Sequence, residues 1–158
     1  NPGASYGDSK RWHPEKFAKV ATELSHKFDI LIFGSVDEKN IATDIEKLLI
    51  ENNVSNYQNL AAQTSVEELI YHISTLDIFV TGDSGPMHIA AAFQVPTVAI
   101  FGPTKDTETS QWMNDKSTIV KKELDCQPCM KRNCPLKHNN CMKLIKAGEV
   151  LHAVKSLN

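Results

Sequence analysis

The sequence predicts an α/β fold in which a Rossmann-like parallel sheet carries helices on both faces. Short apolar runs alternate with amphipathic segments four times between residues 14 and 102, the pattern of repeated strand–helix–strand units. The apolar runs are continuous, which is typical of strands that are buried on both faces. Two of these runs end in a glycine, at Gly34 and Gly102, where the chain can turn sharply.

Amphipathic periodicity defines the predicted helices. The first begins at Pro14 and places apolar residues at positions 17, 20, 21, 24 and 28; the second repeats at positions 41, 45, 48 and 49. Thr64 and Ser65 can cap a third helix with apolar residues at positions 66, 69, 70 and 73. An alanine-rich helix is predicted over residues 85–94, and a terminal amphipathic helix at about 148–157.

The predicted strands are the apolar runs between these helices. They cover residues 30–33, 78–80 and 97–101, and the weaker strand candidates are a short segment near residues 57–60 and residues 118–120. The remainder of the segment between residues 103 and 147 is polar and contains the cysteines. We therefore expect a single domain over residues 1–158, with a cysteine-containing tail at 122–147 before the terminal helix.

Composition and charge exclude several classes of protein. The chain has 158 residues, with 17 Lys and Arg against 19 Asp and Glu and a net charge of −2, so a dedicated nucleic-acid binder is not expected. No apolar run is long enough to predict a transmembrane helix, and no leader peptide is predicted. The chain begins at Asn1 without an initiator Met, and we expect it to be part of a larger protein.

The cysteines form one local cluster: Cys126, Cys129, Cys134 and Cys141, with the spacing C-x2-C-x4-C-x6-C. A small secreted domain would distribute its cysteines as a disulfide framework, so the cluster indicates an intracellular protein. Four thiols can hold a structural zinc ion, with His138 as an alternate ligand. The alternatives are a structural clip for a long loop, or four reduced thiols that pack locally. We favour a metal-free cluster, because the spacing is not that of a standard zinc ribbon or knuckle.

The strongest candidate site follows the predicted strand 78–80, because ligands of open α/β sheets bind at the carboxyl ends of strands. Asp83 or Ser84 can cap the next helix, and Gly85 allows a ligand to approach the backbone closely. The free N–H groups of such a helix start bind anions, and His88 lies in the same turn. The alternative is a capped helix without a ligand. The chain contains neither a P-loop nor a G-x-G-x-x-G motif.

The opening segment, residues 3–12, is a glycine-containing loop that leads into the first helix. Lys10 and Arg11 are adjacent cations that can neutralise a phosphate. The alternative interpretation is a solvated charge pair beside Trp12.

These motifs also carry a family resemblance. The opening G-A-x-x-G-x-x-K-R-W-x-P, the central D-S-G-P-M-H-I-A-A-A and the later V-P-T-V-A-I-F-G-P-T resemble the carboxyl-terminal half of glycosyltransferase family 9. This is the family of bacterial lipopolysaccharide heptosyltransferases. The cysteine segment resembles the tail of its heptosyltransferase II branch. The resemblance implies a GT-B fold, of which this chain would be the nucleotide-sugar half. It also implies a strand before Pro2 that this chain lacks, which would leave an edge of the sheet unpaired.

The resemblance assigns roles to individual residues. It implies that Lys10 contacts the diphosphate of the donor and stabilises the leaving group. It implies donor contacts for Asp83, Ser84, Gly85 and His88, and more weakly for Thr104. Asp37 or Glu38, of which Glu38 is the preferred candidate, would accept hydrogen bonds from ribose hydroxyls, and the region of Leu60 would line the adenine pocket.

The implied function is that of the donor-binding domain of an ADP-heptose:lipopolysaccharide heptosyltransferase. The lipopolysaccharide core acceptor would bind through the other half, which would also supply the general base, and this chain alone would be inactive. No cofactor is expected, and the location would be cytoplasmic, at the inner face of the inner membrane of a Gram-negative bacterium. The alternatives are half of another GT-B enzyme with a different nucleotide sugar, such as a uridine nucleotide, and a non-catalytic nucleotide-binding module. The cysteine tail is predicted to be structural and outside the chemistry.

Overall fold

The computed structural model describes residues 1–4 and 6–157, so Ser5 of the opening motif and Asn158 lie outside the described residues. The helices are α1 (Pro14–Leu24), α2 (Lys39–Glu51), α3 (Val66–Ser74), α4 (Gly85–Ala92), α5 (Asp106–Thr109), α6 (Asn140–Lys143) and α7 (Ala147–Ser156). The strands are β1 (Ile30–Ile32), β2 (Tyr57–Asn59), β3 (Phe79–Gly82), β4 (Thr97–Ile100) and β5 (Ser117–Val120). This order confirms the predicted alternation of helices and strands.

All strand pairs that the structure describes are parallel. β1 pairs with β2, with Ile30 opposite Tyr57. β4 pairs with β3 on one side and with β5 on the other, so that Thr97 lies opposite both Phe79 and Ser117. The weak strand candidate near residue 118 is thus a full edge strand.

The described strands form two sheets rather than one. An apolar cavity of about 230 Å³ separates them, and both β1 and β3 line it. At one end of this gap, the backbone nitrogen of Asn1 donates a hydrogen bond to the carbonyl of Val80 at 2.9 Å. β1 and β3 are end strands of their sheets, and both line this gap.

Helices cover both faces because neighbouring side chains of a strand point to opposite sides. Val98 and Ile100 of β4 belong to the large core cluster built with α1, α2 and α7. Ala99 and Phe101 pack instead with Met87 of α4. Among the described residues, no helix has the length and apolar character needed to cross a membrane.

The ends of several elements differ from the sequence prediction. α1 ends at Leu24, so Phe28 lies beyond the helix. α4 ends at Ala92, and Gln94 adopts a positive φ of 55° that no α-helix continues. The predicted cap of α3 is confirmed, since the Ser65 hydroxyl accepts a hydrogen bond from the backbone N–H of Glu68 at 3.1 Å.

Candidate functional site

A cavity of about 520 Å³ lies at the carboxyl ends of β1 and β3. Its walls come from the opening loop, the connection from β1 to α2, the start of α3 and the turn from β3 to α4. Lys10, Glu38, Asp83, Ser84, Gly85 and His88 all line it. The structure therefore brings six of the seven predicted donor-binding residues to one cavity, although they come from distant parts of the chain.

A buried ion pair forms one side of this cavity. The ammonium nitrogen of Lys10 lies 2.5 Å from Asp83 Oδ2, and the two side chains are 9% and 6% exposed. The hydroxyl of Thr104 donates to the same oxygen at 2.6 Å, and that of Thr109 lies 3.4 Å away. Thr104 does not line the cavity, so any effect it has on a ligand passes through Asp83.

The turn from β3 to α4 leaves the start of the helix without a side-chain cap. Ser84 occupies the N-cap position, but its hydroxyl lies 3.2 Å from that of Thr81 and caps no N–H group. The Asp83 carboxylate is engaged by Lys10. Ser84 is therefore the N-cap residue of α4, as predicted, but the side chains of Asp83 and Ser84 form no capping hydrogen bond. The uncapped end can bind an anion through its backbone N–H groups.

Gly85 leaves the backbone at the start of α4 accessible to a ligand. It is exposed, and a Cβ atom placed on it would meet no other atom within 4 Å. The space beside the backbone is therefore open to a ligand. His88, in the same turn, is also exposed and lines the cavity.

A buried carboxylate lines the cavity as well. Glu38 is 6% exposed, and its Oε2 accepts a hydrogen bond from the backbone N–H of Ser35 at 2.8 Å. Asp37 is exposed and does not line the cavity. Of the two acidic residues considered for the ribose, only Glu38 lines this cavity, and the ribose contact itself stays a prediction.

The start of α3 adds an apolar wall that the sequence did not indicate. Val66 and Leu69 line the cavity, and Val66 is 66% exposed. Leu60, which was expected near an adenine pocket, packs against the core cluster that contains Phe33. Leu69 packs against the same cluster but also lines the cavity, whereas Leu60 does not line it. The role of Leu60 in an adenine pocket stays a prediction.

The segment with the cysteines packs directly against the opening loop. Ser9 donates two hydrogen bonds to it, one from its N–H to the carbonyl of Arg132 at 3.2 Å and one from its hydroxyl to the carbonyl of Lys131 at 2.6 Å. The hydroxyl of Tyr6 donates to the carbonyl of Met130 at 2.8 Å. The cysteine tail therefore supports the loop that carries Lys10. That the tail lies outside the chemistry stays a prediction.

The four cysteines are free thiols and line a small cavity of about 20 Å³. Backbone N–H groups, above all that of Asn139 at 3.4 Å, lower the pKa of the Cys134 thiol. Burial, with a smaller contribution from the other three cysteines, raises the pKa of Cys141 to about 11. Within residues 1–4 and 6–157, no group of three or more His, Cys, Asp or Glu side chains is placed to hold a metal ion.

Another open cavity, of about 780 Å³, lies against α2 and β2 and is lined by Glu46, Tyr57 and Asn59. Its polar groups bond to one another, since the Asn59 amide donates to Glu46 Oε2 at 2.9 Å. None of the donor-binding residues predicted from the sequence lines it. We therefore take the cavity beside Lys10 as the candidate site.

A comparison with protein-family models decides the family. The model described as glycosyltransferase family 9 (heptosyltransferase) matches residues 1–140. The chain belongs to glycosyltransferase family 9. This confirms the resemblance drawn from the opening, central and later motifs.

Relatives within family 9 agree with this assignment. The chain is 47% identical to lipooligosaccharide heptosyltransferase 2 of Campylobacter jejuni, a match that covers 99% of the chain and 49% of that protein. It is 36% identical to lipooligosaccharide heptosyltransferase 2 of Haemophilus influenzae, over 76% of the chain and 35% of that protein. The chain thus spans about half the length of the first of these relatives and about a third of the second.

A solved structure confirms the fold class. The Escherichia coli structure described as ADP-heptose lps heptosyltransferase II matches with a TM-score of 0.84 and 25% identity, over 99% of this chain and 44% of that one. The predicted carboxyl-terminal half of a GT-B glycosyltransferase is therefore the fold of this chain.

Proposed function

We propose that this family 9 chain is the donor-binding half of an ADP-heptose:lipopolysaccharide heptosyltransferase. The observation that carries the proposal is that Lys10, the open helix start at Gly85 and the buried Glu38 line one cavity. A cation and free N–H groups suit a diphosphate, and a carboxylate suits sugar hydroxyls. The relatives named as heptosyltransferases support the same donor class.

Lys10 and the start of α4 would stabilise the leaving group. As the bond between the sugar and the diphosphate breaks, negative charge grows on the departing ADP. A positioned ammonium group and backbone N–H groups stabilise such charge without reorganisation at the moment of reaction. Asp83 Oδ2 accepts hydrogen bonds from the Lys10 ammonium group and from the Thr104 hydroxyl, so Asp83 and Thr104 together hold the ammonium group in place.

The other parts of the cavity fit the rest of a nucleotide sugar. Glu38 would accept hydrogen bonds from the ribose hydroxyls, and the adenine ring would lie on the apolar surface of Val66 and Leu69. His88, which is exposed beside the helix start, would face the transferred sugar.

We infer that the acceptor hydroxyl and its general base come from the other half of the protein. Asp83 is a poor base, because Lys10 and Thr104 already occupy one of its oxygens. The proposed acceptor is the lipopolysaccharide core, as the names of the relatives indicate. A membrane-anchored acceptor would bring the whole enzyme to the cytoplasmic face of the inner membrane.

Calorimetric titration of the chain with ADP, UDP and adenosine tests the proposal. We expect ADP to bind at least about tenfold more tightly than UDP, because the larger base covers more of the apolar wall. Adenosine should bind more weakly than ADP, because it lacks the diphosphate. Preference for UDP would favour a different GT-B donor, and binding of neither nucleotide would contradict the proposed function.

A further inference from the structure

We propose that Arg132 is a second cation of the donor's diphosphate site and that the cysteine tail delivers it. This inference rests on the proposed function and extends it to a residue outside the motifs of the donor cavity. The ligand group is a diphosphate, and the guanidinium group would contact it at the rim of the cavity beside Tyr6.

Arg132 and Lys10 contact the same aromatic ring. The ammonium nitrogen of Lys10 lies 4.4 Å from the centre of the Tyr6 ring, and the guanidinium carbon of Arg132 lies 5.3 Å from it. The two cations therefore lie within about 10 Å of each other, about one Debye length at 0.1 M salt. Because Tyr6 also lines the donor cavity, Arg132 stands at the edge of the same site.

The backbone of the tail is fixed at this point. The carbonyls of Lys131 and Arg132 accept hydrogen bonds from Ser9, whose N–H and hydroxyl are both used. The approach is close, since a Cβ atom on Gly7 would come within 2.4 Å of the Arg132 carbonyl oxygen. The Arg132 side chain therefore starts from a defined place beside the opening loop, and its guanidinium group lies against the Tyr6 ring.

The charge balance of the site calls for another cation. Asp83 compensates the charge of Lys10 within the buried pair, and Asp8 compensates that of Arg11 at 2.6 Å. Arg132 is exposed, and its described side-chain contact is the Tyr6 ring, with no carboxylate partner among the described residues. A diphosphate carries more negative charge than the neutral Lys10–Asp83 pair can balance. An unpaired guanidinium group at the rim supplies the missing charge and can bind phosphate oxygens in bidentate geometry.

The test compares Arg132→Gln with Lys131→Gln in the same chain. Both substitutions remove one positive charge from adjacent exposed residues of the same loop, so a general change of charge affects both alike. We expect Arg132→Gln to weaken ADP binding about tenfold at low salt, and Lys131→Gln to weaken it less than about twofold. Adenosine binding should be unchanged in both variants, since it carries no phosphate. Equal effects of the two substitutions on ADP, or an equal loss of adenosine binding in Arg132→Gln, would overturn the inference.

Inorganic pyrophosphate separates this inference from the proposed function. If the unmodified chain binds pyrophosphate but not ADP, the nucleotide proposal fails while the anion site stands, and Arg132→Gln should still weaken pyrophosphate binding about tenfold. If pyrophosphate binds the unmodified chain and Arg132→Gln equally, Arg132 is not part of the site. If the unmodified chain binds neither ligand, both proposals are contradicted.

Discussion

The ammonium nitrogen of Lys10 lies 2.5 Å from Asp83 Oδ2, although 73 positions separate the two residues along the chain. This contact joins the opening loop to the end of β3 and holds the cation at the start of α4. Both groups are buried, so each depends on the other for compensation of its charge. We therefore expect the pair to contribute to the stability of this edge of the sheet and to the affinity of the site for an anion.

Replacing Lys10 by alanine should weaken ADP binding by about 1.5–3 kcal/mol, the range for a charge-assisted hydrogen bond. It should also lower the free energy of unfolding, because Asp83 is left buried without its partner. Adding Asp83→Asn should restore part of the stability but none of the affinity. Calorimetry and urea unfolding measure the two effects, with the exposed Lys19→Ala on α1 as the control. An unchanged ADP affinity in Lys10→Ala would remove Lys10 from the site.

Thr104 is predicted to position Asp83. Thr104→Val removes the hydroxyl 2.6 Å from Asp83 Oδ2 with little change of shape, and should lower the unfolding free energy by about 1–2 kcal/mol. ADP affinity should fall several-fold, because the carboxylate that orients Lys10 becomes less constrained. Thr107→Val, at an exposed threonine of the same segment, should change stability by no more than about 0.5 kcal/mol. If both variants bind ADP like the unmodified chain, Thr104 has no positioning role.

Gly85→Ala should weaken ADP binding without lowering the stability of the fold. No atom lies within 4 Å of the added methyl group, so stability should change little, while the methyl group occupies the space through which a phosphate approaches the backbone. We expect ADP affinity to fall about tenfold, an effect of about 1.4 kcal/mol. Gly148→Ala is the matched control, since Gly148 lies at the start of α7 with equally open space. A Gly85→Ala variant that keeps its ADP affinity would show that no ligand approaches the start of α4.

The thiols of the cysteine tail should differ in reactivity. Backbone N–H groups lower the pKa of Cys134, which increases its thiolate fraction near neutral pH, and the thiolate is the reactive form. Burial raises the pKa of Cys141 to about 11, so this thiol stays protonated until the pH approaches that value. In a time course with iodoacetamide near neutral pH, followed by peptide mass spectrometry, Cys134 should be modified well before Cys141. The reverse order would contradict the described surroundings of both thiols.

The fold could be predicted from the sequence because its signals are local. Continuous apolar runs marked β1, β3 and β4, Pro14 marked the start of α1, and Ser65 marked that of α3. The ends of helices were less certain. Apolar periodicity continued through Phe28, although α1 ends at Leu24, and only the backbone conformation shows where the chain leaves the helix.

Local sequence signals identified some of the residues that line the candidate site and missed others. Strand ends and short motifs pointed to Lys10 and Gly85, because residues at the carboxyl edge of a parallel sheet converge whatever the details of the loops. The contacts of Tyr6 with the cysteine tail were missed, since its hydrogen-bond partner Met130 is 124 residues away. No local pattern shows that a polar loop turns back onto the opening segment. Thr104 was found as a neighbour of the site, but its bond to Asp83 required the structure.

Residue-resolved NMR during an ADP titration tests the central claim most directly, namely that the cavity at the carboxyl ends of β1 and β3 binds the donor nucleotide. We expect the largest amide shifts at residues 82–88 and further shifts at Lys10 and Glu38, all fitting one dissociation constant for ADP. Shifts concentrated at Glu46 and Tyr57, beside the other open cavity, with none at residues 82–88, would contradict it.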